Sequence, residues 1–183
     1  DEQEKKLDQL AERMLQEKYD VICLQEVNQL VESEQVVQAP FYYAVDGAIP
    51  IHQDHYALRL VEKLAEAGLD YYWSWAYNHI GFDIYNEGVA ILSRKPLKAR
   101  ELLVSDINDP SDYHTRKVLL AETELDGQLI TVASCHLSWW DKGFQGEWAK
   151  FESELLQAET PLVLMGDFNN PVDYEGYQHI IQS

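Results

Sequence analysis

Cysteine is scarce in this chain, where Cys23 and Cys135 are the only two, and basic residues are few: 14 Lys and Arg against 32 Asp and Glu. Each cysteine lies in an apolar run that reads as a buried strand, so two free thiols are expected. A disulfide scaffold is disfavoured, and a reducing, cytoplasmic compartment is the expectation. The formal charge of −18 repels polyanions, which makes nucleic acid a disfavoured partner. That average leaves one exception, because a cleft holding divalent cations can attract phosphate on an acidic surface. No apolar run approaches a membrane span and no signal peptide is visible, so no membrane association is expected. Repeats, low-complexity tracts and linkers are absent too.

What the chain does have is an apolar content of 46% over 183 residues, enough to bury a core as one domain, residues 1–183. Aromatics are plentiful, with five Trp and eleven Tyr. Some of these rings can line a cleft, although packing is the default for each ring taken singly.

Leu7, Leu10, Ala11, Met14 and Leu15 recur at helical spacing and predict an amphipathic helix over residues 3–18. The β-branched run Val21–Gln25 predicts a central strand that ends at Glu26. A long loop, residues 40–54, leads to a helix near 56–67, and strands follow at 70–77 and 88–93. Lys117–Leu125, Asp126-Gly127 and Gln128–Cys135 form a hairpin, since Asp-Gly suits a type I′ turn. A helix over 144–157 carries Phe144, Trp148, Phe151 and Leu155 on one stripe. A strand at 162–165 and a helix starting near Tyr174 complete the order, which predicts packed sheets flanked by helices.

Three polar residues stand where apolar runs stop: Glu26 after VICLQ, His136 after ITVASC and Asp167 after LVLMG. Strand ends of this kind aim side chains into a shared crevice. Glu87 opens the GVAILS run and joins them if that strand is antiparallel to its neighbour. Two carboxylates with the Asn169 amide make a hard oxygen set suited to Mg²⁺, Mn²⁺ or Ca²⁺ rather than structural zinc. The single His favours acid/base or phosphate-binding work. Taken one at a time, each residue has a bland reading: a solvated strand-end carboxylate, a turn residue, a hydrogen-bonded histidine. Their joint occurrence is harder to dismiss. His52, Asp54 and His55 lie in the long loop, where contact with substrate or a second metal competes with a favoured reading as solvated polar residues.

The segments DVICLQE at 20–26, YNEGVAILSRKPL at 85–97, TRKVLLAE at 115–122, VASCHLS at 132–138 and LMGDFNNP at 164–171 together resemble the endonuclease/exonuclease/phosphatase superfamily. They occur in that superfamily's order and span nearly the whole chain. The resemblance implies an α/β fold, a four-layer α/β/β/α sandwich of two mixed, largely antiparallel sheets. It also implies a metal-dependent phosphoesterase using Mg²⁺, or Mn²⁺. By likeness, Glu26 is the main metal ligand, Asp167 orients or deprotonates the attacking water, and Asn169 holds a phosphate oxygen or the metal. His136 donates to phosphoryl oxygens with Glu87 holding its imidazole, and Tyr85 and Arg116 are further contributors. For Arg116 a structural surface role is equally open. A first strand carrying an Asn would precede Asp1, and a closing Ser-Asp-His segment would follow Ser183. The domain is therefore expected to be partial at both ends, without its first and last strands.

The acid excess favours a phosphorylated small molecule as substrate over a nucleic acid. Trp139 and Trp140, just past His136, are candidate platforms for a sugar, while Phe144 and Trp148 are expected to face the core. The tryptophan-rich stretch is similar to the Gram-positive branch of the superfamily containing maltose 6′-phosphate phosphatase, which points to a sugar phosphate. A nuclease using Arg94, Lys95, Lys98, Arg100, Arg116 and Lys117 as a basic groove is the alternative. A silent binding scaffold of the same fold is the second alternative.

Overall fold

The computed structural model describes residues 2–183. Helix α1 (Glu2–Glu17) and strand β1 (Val21–Leu30) open the chain, and α2 (Tyr56–Glu66) follows a long loop. Then come β2 (Tyr72–Gly81), β3 (Tyr85–Ser93), β4 (Lys98–Leu103), β5 (Lys117–Leu125) and β6 (Gln128–His136). A 3-10 turn at Trp140–Lys142, α3 (Phe144–Leu155), β7 (Leu162–Asp167) and α4 (Glu175–Gln182) complete the described elements.

The strands form two sheets, in the orders β1-β3-β2 and β4-β5-β6-β7. All pairs are antiparallel except β6 with β7. Side-chain alternation divides the apolar residues into three layers of core. Between the sheets pack Val89 and Ile91 of β3, Leu119 and Ala121 of β5, and Ile130 and Val132 of β6. Leu7, Ala11 and Met14 of α1 and Leu58, Val61 and Leu64 of α2 cover the outer face of the first sheet. Phe144, Trp148 and Phe151 of α3 cover the outer face of the second, with Ile180 of α4 against them. The result is the expected four-layer α/β/β/α sandwich. Among the described residues, no helix is long and apolar enough to cross a membrane.

The predicted elements shift in instructive ways. Asp126 and Gly127 take positive φ, at 50° and 78°, as a type I′ hairpin between β5 and β6 requires. β1 does not stop at Glu26 but runs four residues further, because VNQL, though interrupted by Asn28 and Gln29, still pairs its backbone with β3. β3 likewise starts at Tyr85, and β4 was invisible to apolar alternation because Lys98 and Arg100 occupy its exposed positions.

Candidate active site

Along β6, residues 130, 132, 134 and 136 share the face toward the first sheet, so the run of core residues ends in His136. His136 pairs in register with Asp167 at the end of β7. Gly166 makes this approach possible: a Cβ there would lie 2.0 Å from the Cys135 carbonyl oxygen. Its open backbone thus serves strand packing. Leu137 N–H donates to the Asp167 carbonyl at 2.9 Å, and Asn169 Nδ2 to the Leu137 carbonyl at 2.7 Å. The Asp167 carboxylate accepts from Asn169 N–H at 2.9 Å, which helps hold Asn169 at φ 50°. With its amide nitrogen engaged, Asn169 keeps Oδ1 as an acceptor.

Glu26 is brought to the same edge by a bulge in β1. The pairing with β3 shifts between Leu24 and Val27, and Glu26 takes φ 53°. Strict alternation would aim this carboxylate at the helix side, the side of Ile22 and Leu24. The bulge instead gives that side to Val27 and leaves Glu26 exposed. Trp75 pins the bulge, its indole N–H donating to the Val27 carbonyl at 3.2 Å across Gly88. A Cβ on Gly88 would sit 2.6 Å from that indole nitrogen. On the facing sheet, Gln25 Nε2 donates to Ser134 Oγ at 3.2 Å, and Ser134 Oγ to the Leu24 carbonyl at 3.3 Å. These bonds tie Glu26's neighbours to β6 two residues before His136.

Glu87 faces the same space, opposite Asn28 of β1 and His79 of β2. Its hydrogen-bonding partner is His79, whose Nε2 lies 3.4 Å from Glu87 Oε1. That contact holds Glu87 below the ordinary carboxylate range against partial burial, with His136 and Arg116 adding in the same direction. His136 itself is 8% exposed. Burial, then the Arg116 guanidinium, keeps its imidazole below the usual histidine value, while Asp167, Glu26 and Glu87 pull the other way. Arg116, Asp167, Glu26 and Glu87 therefore all bear on His136 at one edge of the packed sheets.

Two members of this edge are left chemically open. Arg116 has Nε and Nη1 buried without a hydrogen-bond partner, and so does the Asn28 Oδ1 atom. Buried donors without a protein partner call for an anion or an ordered water, and an unpaired oxygen calls for a cation or a donor. Among the described residues, no three His, Cys, Asp or Glu converge as a metal cage. Glu26, Asp167 and Asn169 instead offer a sparse oxygen set, which fits an ion such as Mg²⁺ that keeps waters and binds through one or two carboxylates.

The remaining candidates spread out. Tyr85 opens β3 on the same face as Glu87 and is half-buried. Trp139 is 55% exposed beyond the site. Trp140 packs on Phe144 and His179, at 5.9 and 5.7 Å between ring centroids, and so turns toward the outer helices. The loop following His136 is braced by buried Glu147, whose carboxylate accepts from Ser138 N–H and Oγ at 2.8 and 2.7 Å. His52 and His55 are buried rather than solvated. Of the groups around the site, Asn28, Asn78 and His79 escaped sequence reasoning. Their only signal was a polar interruption of strand-like runs, in EVNQL and AYNHIG.

The sequence profile of the Endonuclease/Exonuclease/phosphatase family matches residues 2–181. Among solved structures, the chain is similar to an endonuclease/exonuclease/phosphatase family protein from Leptotrichia buccalis C-1013-b, with 29% identity and a TM-score of 0.83. That match covers 100% of this chain and 67% of the other. The human Nocturnin catalytic domain matches at 19% identity and TM-score 0.65, over 98% of this chain and 62% of its own. Sphingomyelinase C from Streptomyces griseocarneus matches at 14% identity and TM-score 0.61, over 98% and 62%. These last two share the fold, and the chain spans less than two thirds of either. No curated protein matches the chain.

Proposed function

The chain belongs to the Endonuclease/Exonuclease/phosphatase family, and from that premise we propose that it hydrolyses a small-molecule phosphate ester, a sugar phosphate such as maltose 6′-phosphate. The observation that carries this reading is the meeting of opposite appetites at one edge. Arg116, with two buried unpaired nitrogens, stands by His136, and an oxygen-rich set of Glu26, Asp167 and Asn169 lies beside it. Phosphoester hydrolysis needs that pairing: donors for the non-bridging oxygens, and carboxylates for a cation and a water.

In this mechanism Glu26, with Asp167 or Asn169, would hold a Mg²⁺ or Mn²⁺ ion, which supplies Lewis-acid charge neutralisation when bound. Asp167 orients the attacking water and takes its proton as the new P–O bond forms, the P–O bond to the alcohol breaks, and the departing alkoxide takes a proton from solvent. His136, neutral because of its burial, donates a ring N–H to a phosphoryl oxygen, and Arg116 donates its fork to another. Glu87 keeps the field at His136 negative as charge shifts there. Tyr85, half-buried on the same face, and Trp139, exposed just beyond the 136–138 segment, would contact the rest of the substrate.

A small substrate is supported by where the basic residues lie. Arg94 and Lys95 follow the end of β3 remote from Glu87, and Lys98 opens β4 there. Arg100 is paired with Glu154 at 2.6 Å and Lys117 with Glu101 at 2.8 Å. Three of these cations thus lie at the strand ends away from Glu87, and the other two are each paired with a glutamate.

The test is hydrolysis by the full-length protein of a panel of sugar phosphates, lipid phosphodiesters and nucleic acids, with Mg²⁺ and again with EDTA. Metal-dependent phosphate release from a sugar phosphate is expected. Cleavage of DNA or RNA alone would replace the phosphatase with a nuclease, and metal binding without turnover of anything would leave a binding scaffold.

A further inference from the structure

β2 carries a second irregularity, a register shift between Tyr77 and His79, which buries both Asn78 and His79. Their side chains reach the segment that presents Arg116, and they take hold of it on both sides. Asn78 Oδ1 accepts from Lys117 N–H at 3.1 Å. His79 Nδ1 lies 3.1 Å from the Thr115 carbonyl oxygen. The other imidazole nitrogen, Nε2, lies 3.4 Å from the Glu87 carboxylate.

The hydrogen bonding is directional. A carbonyl can only accept, so Nδ1 carries a hydrogen and donates it to Thr115, which leaves Nε2 turned to the Glu87 carboxylate. His79 thus links the backbone before Arg116 to Glu87, while Asn78 holds the backbone after it. The other flank of Arg116 is tied independently: its N–H donates to Ser105 Oγ at 2.8 Å, and its carbonyl accepts from Val104 N–H at 3.0 Å. A guanidinium with two unpaired nitrogens has no side-chain partner there to fix it. Its position must come from the backbone that carries it.

We infer that Asn78 and His79 are positioning residues of the site, gripping the peptide on either side of Arg116 and, through His79, the Glu87 carboxylate. Neither touches substrate. Their effect is to set where the guanidinium and the carboxylate stand relative to His136. The inference rests on the phosphoesterase reading for its consequence, and on the hydrogen bonds themselves for its geometry.

The experiment compares the full-length wild type with Asn78→Ala, His79→Ala and His79→Gln. The first measurement is the Arg116 Nε–H signal in ¹⁵N NMR, assigned by its loss in Arg116→Lys, with its exchange rate. The second is the affinity for inorganic phosphate in EDTA by calorimetry, and the third is kcat and KM for whichever phosphate ester the wild type turns over. Both alanine variants should shift the Nε–H signal, speed its exchange and weaken phosphate binding about tenfold, since small misplacements are costly in a preorganised site. Asn78→Ala should act mainly on KM, His79→Ala on KM and kcat together, and His79→Gln should recover part of the loss. An unchanged Nε–H signal and phosphate affinity in both alanine variants would overturn the inference. A wild type that neither binds phosphate nor turns over an ester removes the phosphoesterase reading instead, and the Nε–H comparison then decides the positioning role alone. Should His79→Ala not fold, Asn78→Ala and His79→Gln carry the same measurements.

Discussion

Asn28 and Gln29 are neighbours on β1 with similar side chains, yet they face opposite sides of the strand and meet different fates. Gln29 points to the helix side, where both ends of its amide are engaged: Nε2 donates to the Pro50 carbonyl at 2.9 Å, and Oε1 accepts from His52 N–H at 2.8 Å. The polar cluster around it closes on itself. His52 Nδ1 lies 2.9 Å from the Leu30 carbonyl, Ser33 Oγ bonds Asp54, and Asp54 accepts from Leu30 N–H at 2.8 Å. Ser, His and Asp are thus together, but the same ring nitrogen serves Leu30 and Ser33, at 3.1 Å from the latter. That arrangement fastens a loop and leaves no base for a nucleophile. Asn28, one residue earlier, faces the inter-sheet edge, where its oxygen and two Arg116 nitrogens are buried and unpaired. The loop cluster spends its hydrogen-bonding capacity on stability. The sheet edge keeps some in reserve, which is a cost to folding and a capacity for ligand.

The contrast breaks first at Asp167 and His136. Asp167→Ala and His136→Ala should each lower the rate at least about a hundredfold, with little change in melting temperature, if they take a proton or stabilise charge. Near-normal rates in either variant would put that residue outside the chemistry. Next comes Arg116→Met, which removes a buried cation with unpaired donors. Phosphate affinity should fall by about tenfold or more while stability holds or rises by about 1 kcal/mol, since an apolar side chain escapes the desolvation cost. A large drop in stability would mean that the guanidinium is already satisfied.

Ser33→Ala should behave in the opposite sense, with stability down by about 1 kcal/mol in urea unfolding and the rate of hydrolysis unchanged. A loss of rate would extend the active region into the loop cluster. A separate, pH-dependent effect concerns His55, which caps α2 with Nδ1 against Leu58 N–H at 3.4 Å and packs between Trp73 and Trp75. Burial, with His52 adding to it, lowers its pKa to about 3. The folded state then binds fewer protons than the unfolded one between pH 6.5 and about 3. Stability from this group is present above pH 6.5 and lost on acidification, at up to about 1.4 kcal/mol per pH unit. His55→Asn keeps a capping side chain and removes the titration. Its melting temperature should therefore fall less between pH 7 and pH 5 than that of the wild type.

Much of the framework was legible in the residues. Leu7, Ala11 and Met14 sit buried at the helical spacing that predicted α1, and the Asp126-Gly127 turn joins β5 to β6. Phe144 and Trp148 face the core, as their stripe required. The polar ends of strands were harder. Glu26 looked like a terminus because Asn28 and Gln29 interrupt the apolar run, yet backbone pairing does not depend on side-chain polarity. The grip of Asn78 and His79 was illegible, since it joins residues 36 and 39 positions apart in the chain.

The sequence by itself determined the alternation that buries three layers of core and delivers His136 and Asp167 to the ends of their strands. Local patterning suffices for that, because a strand's side-chain period is fixed by its backbone. Only the tertiary structure decided which polar groups are satisfied and which are held open. Two bulges, one turning out Glu26 and the other burying Asn78 and His79, set that division. Their positions depend on long-range partners such as Trp75 across Gly88 and Thr115 beside Arg116.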